Sequence, residues 1–376
     1  MPIGYLITAV LWAALALVAM SPPMPSSTRP WSWSFILTMT VIELPFFAMY
    51  VLIWSTASTA LSRDLSNPVG FAALVAAAIG MGALVVIARR GLASRTHLAA
   101  ALDTSLSAGD ALPRRHPWWR VLVAPLSFHG RQVRREANIA YGDAGRRNLL
   151  DVYHQRTNQG GPVLVYFHGG GFRSGHKNRE GKPLLHRLAR HGWVCISANY
   201  RLAPKARFPD YLIDAKQAIA WARRNADRYG GDPTRIYVAG SSAGGHLAVT
   251  AALTPNDPSF QPDFGDVDTA VAGAISLYGF YGSPDSQPGV ASTPHAYINA
   301  DAPPTFIAHG DNDTCVLVDD ARAFAHELDA VSTNPVVYAE LPGAQHGFDV
   351  FRSARFEAVV DAIEIFTDRT GCGRPT

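Results

Sequence analysis

The chain has 376 residues, of which 48% are hydrophobic and 17% charged, and a formal net charge of +3. That length accommodates one large core plus an appended segment, and a near-balanced charge whose basic residues do not interleave with aromatics argues against a nucleic-acid-binding surface. Three cysteines, Cys195, Cys315 and Cys372, make no C-x-x-C and no ligand cluster, which argues against a disulfide framework and against a metal centre; no cofactor is implied.

In chain order, the first third is the most apolar. Ile3 to Met20 carries no charge, Phe35 to Trp54 contains only Glu43, and Val69 to Ala88 is again uncharged. Each approaches the roughly 20 residues needed to cross hydrocarbon, so about three transmembrane helices are expected, forming a membrane anchor over residues 1–90. A cleaved signal peptide is the rival for the first stretch, but no Lys or Arg precedes it and two more apolar stretches follow. The second and third show no polar stripe, unlike amphipathic helices of a soluble domain. Glu43, beside Pro45, is an ionisable group in an apolar segment, for which an interfacial or helix-packing role is expected. Arg89, Arg90 and Arg95 follow the third stretch at once, whereas Arg63 before it is balanced by Asp64, and Arg29 follows the first. By the positive-inside rule these charges place the catalytic part in the cytoplasm and the protein in the cell membrane.

Residues 91–135 read as a linker or interfacial segment. Pro113-Arg114-Arg115-His116-Pro117 leads into Trp118-Trp119-Arg120-Val121-Leu122-Val123, a mixture suited to a lipid headgroup region or, equally, to packing on the next domain as a small lid.

From about 136 to 370, apolar strand-like runs alternate with helix-like segments at 184–189, 215–224, 321–328 and 358–366, the pattern of a mostly parallel sheet flanked by helices. The run Pro162 to Phe167 enters His168-Gly169-Gly170-Gly171-Phe172. A second run, Ile236-Tyr237-Val238-Ala239, enters Gly240-Ser241-Ser242-Ala243-Gly244, the G-x-S-x-G of a nucleophile elbow. Glycines on either side of the serine permit the tight turn that exposes its hydroxyl. The glycine run offers unobstructed N–H donors for an oxyanion, and the donors are assigned to Gly170, Gly171 and Ala243. A serine hydroxyl needs a base and the base an orienting carboxylate. Thr305 to Ala308 leads to Asp311 and Asp313, and Val336 to Leu341 leads to His346, so Ser242, Asp313 and His346 follow the order expected when catalytic groups ride the carboxyl ends of strands. Asp311 is the alternative acid, and Asp319 and Asp320 suit the start of a helix. Phe172, Tyr278 and Phe280 flank these loops and are candidates for an acyl pocket.

Residues from about 136 to 368 resemble the hormone-sensitive-lipase-like branch of the α/β-hydrolases, a family of carboxylesterases. The resemblance rests on His168-Gly169-Gly170-Gly171-Phe172, on Tyr200-Arg201-Leu202-Ala203-Pro204 with Phe208-Pro209, and on Ser241-Ser242-Ala243-Gly244-Gly245-His246-Leu247-Ala248. It implies an α/β-hydrolase fold in the catalytic domain 136–370 and an acyl-enzyme mechanism on Ser242, Asp313 and His346, with the glycine donors at the oxyanion. Ser241 stands where the family usually has Asp, and Gly310-Asp311-Asn312-Asp313 differs from its acidic motif; both features are similar to related esterases acting on feruloyl or acetylated substrates. The family's cap is short here, so cover for the acyl site is expected from the N-terminal third. The chain therefore reads as a membrane-anchored serine carboxylesterase or lipase acting on a small-molecule or lipid ester. An amidase using the same triad, such as an arylformamidase or peptidase, and a catalytically inactive hydrolase-fold scaffold are the other readings.

Overall fold

The computed structural model describes residues 2–23, 33–62, 65, 67–113, 118–126, 132–157 and 159–371. Arg29, Arg63, Asp64, Arg114, Arg115, His116, Pro117 and Cys372 lie outside the described residues.

The three apolar stretches form four helices: α1 (Pro2–Met20), α2 (Trp33–Glu43), α3 (Pro45–Leu61) and α4 (Pro68–Leu106). The second stretch differs from expectation. Pro45 lacks an N–H to continue the helical ladder, and its ring collides with the carbonyl four residues back. Leu44 accordingly leaves helical geometry, with φ −122° and ψ 48°, and α3 departs at 87° from α2. Phe35 to Trp54 is two helices and not one straight span.

Helices α1 and α4 run side by side in the same direction. Gly80 approaches Ala13 so closely that an added Cβ would stand 3.1 Å from the Ala13 Cα, and Arg90 Nη1 donates to the Met20 carbonyl at 2.7 Å. Helix α3 runs the opposite way, with Tyr5 near the start of α1 and Thr56 near the end of α3 sharing a 2.8 Å hydroxyl contact. Residues 91–106, expected to open a linker, are the second half of α4. There Leu98 and Leu102 are fully buried in the same core as Phe356 and Val359, and Arg95 pairs with Asp361 at 2.8 Å. One helix thus belongs both to the apolar bundle and to the domain that follows. A short helix α5 (Trp118–Val123) sets Trp118 edge-on to Phe46 of α3, ring centroids 5.9 Å apart, and leaves Trp119 and Val123 exposed.

Beyond it lies an eight-stranded sheet: β1 (Val133–Ala140), β2 (Leu149–Gln155), β3 (Gly161–Phe167), β4 (Val194–Ala198), β5 (Gly231–Ser241), β6 (Gly273–Leu277), β7 (Thr305–Gly310) and β8 (Val336–Leu341). The order is β1-β2-β4-β3-β5-β6-β7-β8. Pairs β1/β2 and β2/β4 are antiparallel and all others parallel, so the expected mostly parallel sheet is present. The second half of α4 packs on it together with α6 (Lys182–Arg190), α7 (Asp210–Asn225), α8 (Ala243–Leu253), α9 (Val318–Val331) and α10 (Ala354–Gly371).

Alternation along β3 sorts the two faces. Leu164 and Tyr166 pack with α4, α6 and α10, while Val163, Val165 and Phe167 pack with α7 and α8. Strand β5 sits between β3 and β6, which brings the loops leaving the carboxyl ends of β3, β5, β7 and β8 to one rim. Between β6 and β7 there is only a 3₁₀ turn at Pro294–Tyr297, consistent with the short cap read from the sequence.

Candidate active site

Ser242 occupies the single residue between β5 and α8, at φ 57° and ψ −121°, a backbone conformation that costs a non-glycine residue energy unless the surroundings impose it. They do. A Cβ on Gly240 would lie 2.1 Å from the Gly244 carbonyl, and one on Gly244 would lie 2.0 Å from the Phe167 carbonyl. Gly240 is therefore dictated by the tightness of the elbow itself, and Gly244 by its close approach to the end of β3.

The Ser242 Oγ lies 2.9 Å from Nε2 of His346, whose Nδ1 is 2.7 Å from Oδ2 of Asp313. All three are buried. Asp313 Oδ1 accepts from the N–H groups of Cys315 and Val316 at 2.8 and 2.9 Å, and His309 Nε2 stands 3.4 Å from Oδ2. Burial alone would raise this carboxyl, but the His346 and His309 imidazoles outweigh it and hold Asp313 well below the usual carboxylate range. Asp311, the alternative acid, points elsewhere and accepts from Gly343 N–H at 2.6 Å.

The glycine loop is held open by unusual backbone, with Gly170 at φ 117° and Gly171 at φ 60°. Gly171 and Ala243 line the cavity beside Ser242. The Gly170 carbonyl accepts from Arg173 and Ser174 N–H at 3.1 and 3.0 Å, which closes the loop on itself. His168 is not part of the chemistry. Its ring stacks on Tyr200 at 4.4 Å, and burial pushes it down to about 3, so it stays neutral and braces the loop.

A cavity of about 360 Å³ opens over Ser242, lined by Phe172, Arg173, Tyr211, Phe280 and Val316 among others. Its size suits a small acyl or alcohol portion. Phe172 and Phe280 lie where the sequence placed them. Tyr278 does not: its ring abuts His346 at 4.5 Å and its hydroxyl donates to Asp349, beneath the cavity instead of in it.

Several neighbours of the site were not singled out from the sequence. Glu180, buried, accepts from Gly169 N–H at 2.5 Å. Burial and the nearby Asp349 charge push its carboxyl up to about 7. From the N-terminal bundle, the ring of Phe35 comes within 6.4 Å of the His346 ring, and Met39 faces Gly347. The available signal for Asp349 was a carboxyl inside the apolar run Phe348 to Phe351, three residues past the candidate base. Phe35 carried no such signal. Among the described residues, no group of three or more His, Cys, Asp or Glu is arranged to hold a metal ion.

Along nearly its whole length the chain is similar to a probable carboxylic ester hydrolase, LipM of Mycobacterium tuberculosis, with 35% identity over 97% of this chain and 92% of that protein. The chain belongs to the carboxylic ester hydrolases of the α/β-hydrolase fold. The sequence pattern of the BD-FAE family matches residues 150–283 of this ester hydrolase, the stretch from β2 past the elbow. Esterase LipQ of the same organism is 37% identical over 63% of this chain and 63% of its own. A thermophilic esterase from Thermogutta terrifontis, solved with butyrate bound, superposes with a TM-score of 0.55 at 25% identity, covering 64% of this chain and 96% of that one. The LipM match extends through the N-terminal helices; the solved esterase accounts for a part about the size of the sheet domain.

Proposed function

We propose that this ester hydrolase is a serine enzyme, anchored in a membrane by residues 1–90, with its catalytic domain at 136–370 and residues 91–135 joining the two. The observation that carries the serine mechanism is the in-line chain of contacts from Ser242 through His346 to Asp313 beside a cavity lined by Gly171 and Ala243. Ser242 Oγ attacks the ester carbonyl as His346 Nε2 takes its proton, and the Asp313 carboxylate fixes the Nδ1–H tautomer and stabilises the imidazolium. The oxyanion is received by the backbone N–H groups of Gly170, Gly171 and Ala243. His346 then returns the proton to the departing alcohol, and the same base activates water to cleave the acyl-enzyme.

Support for the anchor is the mean hydropathy of 2.2 over Ile3–Met20 and 2.5 within α4, together with apolar side chains exposed around the bundle, Leu11, Trp54 and Phe71 among them. Three crossings by α1, α3 and the first half of α4 fit the helix directions, with α2 lying along the hydrolase side. The arginines at the end of the third apolar stretch put that side in the cytoplasm by the positive-inside rule. Proximity of Phe35 and Met39 to the His346 loop favours an apolar ester that reaches the cavity from the bilayer edge.

The test is labelling of membranes carrying the protein with a fluorophosphonate, beside turnover of p-nitrophenyl esters. Ser242→Ala is expected to abolish labelling and to lower kcat by on the order of 10⁴-fold or more, and alkaline carbonate is expected to leave the protein in the membrane pellet. Retained labelling in the variant would refute the nucleophile, and release by carbonate would refute the anchor.

A further inference from the structure

Beneath the elbow lies a carboxylate to which the proposed mechanism gives no role. Asp349 is completely buried, and three hydroxyls from three different parts of the chain converge on it. Ser241 Oγ donates to Oδ2 at 2.6 Å, Tyr166 Oη donates to Oδ2 at 2.8 Å, and Tyr278 Oη donates to Oδ1. Ser241 immediately precedes Ser242 at the end of β5. Tyr166 is in β3, just before the glycine loop. Tyr278 follows β6 and presses its ring on His346. Asp349 itself is three residues beyond His346 on the same loop.

We propose that Asp349 is a positioning residue for ester hydrolysis, a carboxyl that ties the strand bearing Ser242 to the loop bearing His346 and sets the distance between them. The proposal rests on the serine mechanism above. It follows from connectivity: Ser242 and His346 belong to segments separated by more than a hundred residues, so holding their 2.9 Å contact calls for a support shared by both segments. Asp349 supplies that support through two hydrogen bonds to Oδ2 and one to Oδ1, with the Tyr278 ring packed edge-on against the imidazole. A buried carboxyl without a cation is costly to retain, and burial does raise its pKa above the ordinary value. Its cost is offset by three donors and by what it holds in place.

Because Ser241 contributes only a hydroxyl, the carboxyl at this junction is supplied from position 349 and reaches position 241 across 2.6 Å. The two positions should then be exchangeable as a pair.

The experiment is a double-mutant cycle on the full-length protein in detergent, with Ser242→Ala measured alongside. Asp349→Ser is expected to lower kcat on the order of 10- to 100-fold, the scale of a displaced catalytic contact, with KM for a short ester nearly unchanged. Ser241→Asp alone, which sets two carboxyls against each other, is expected to be impaired as well. The exchange Ser241→Asp with Asp349→Ser is expected to be more active than either single variant, a coupling that a merely space-filling role would not give. Additive losses, or a wild-type kcat in Asp349→Ser, would overturn the proposal. If Asp349→Ser does not fold, Ser241→Ala and Tyr278→Phe decide it: lower kcat at an unchanged melting temperature supports the role, and an unchanged kcat overturns it. A Ser242→Ala variant that keeps close to the parent kcat would instead overturn the underlying mechanism, whatever the cycle shows.

Discussion

Arg355 Nη1 stands 3.0 Å from Glu43 Oε1, with both side chains only 1% exposed. The pair joins α2 of the N-terminal bundle to the start of α10, and Arg355 Nη2 also donates to the Pro342 carbonyl at 3.1 Å. A buried ion pair is weak evidence of net stabilisation, but removing one member leaves the other charged and unmatched. Arg355→Met is therefore expected to destabilise the detergent-solubilised protein by about 3–5 kcal/mol. Adding Glu43→Leu should recover most of that loss. Chemical unfolding of the three variants checks both statements, and an Arg355→Met protein as stable as the parent would refute the coupling.

The two neighbouring acids separate cleanly. Asp313→Asn keeps the shape of the side chain but favours the wrong tautomer of His346, and kcat is expected to fall on the order of 10⁴-fold. Asp311→Asn leaves an acceptor for Gly343 N–H and should turn over esters about as fast as the parent. Steady-state kinetics on p-nitrophenyl acetate distinguishes them, and the reverse ranking would move the acid to position 311.

Glu180 is expected to leave a pH signature in stability. Its folded carboxyl is pushed up to about 7 from an ordinary 4.5, chiefly by burial and then by the Asp349 charge. In that window the native state holds a proton that the unfolded chain has released, so the contribution is full below about 4.5 and lost as pH rises toward 7. Glu180→Gln removes this decline. Unfolding free energies across the window should show the parent losing stability relative to the variant as pH rises; parallel curves would contradict the shift. The depressed Asp313 carboxyl acts in the opposite sense, gaining stability as pH rises, but is common to both proteins and cancels in the difference.

Phe280 forms part of the cavity wall and is accessible to substrate there. Phe280→Ala should enlarge the acyl site and shift kcat/KM toward longer acyl chains by about 10-fold for each well-accommodated step. A chain-length series of p-nitrophenyl esters reads this directly, and an unchanged profile would place the acyl group elsewhere.

Much of the sheet domain could be read from the chain because its signals are local. The strands ending at Phe167, Ser241, Gly310 and Leu341 are short apolar runs closed by glycine or polar loops, and Ser242, Asp313 and His346 sit at those closures in the order the topology requires. What eluded the sequence depends on contacts distant in the chain. Nothing near Glu43 announces Arg355, over three hundred residues away, and nothing near Tyr278 announces that its hydroxyl is claimed by Asp349, which draws it out of the acyl wall. Helix α4 was read too short because apolar periodicity ends where charge begins, near Arg89, although neither arginine nor alanine interrupts a helix. Pro45 is the converse case: hydropathy averages over a break that backbone geometry cannot ignore.

The continuity of α4 has a mechanical meaning. A 39-residue helix is about 58 Å long at about 1.5 Å per residue, and with Leu98 and Leu102 cemented into the hydrolase core it acts as an axle, not a tether. One residue inserted between Ala88 and Gly91 would turn the bundle about 100° against the catalytic domain, swinging α2 off the His346 loop and parting Glu43 from Arg355. Both the azimuth and the height of the bundle are thereby written into the length of a single helix, since even a whole added turn would restore the rotation but lift the bundle by about 5.4 Å.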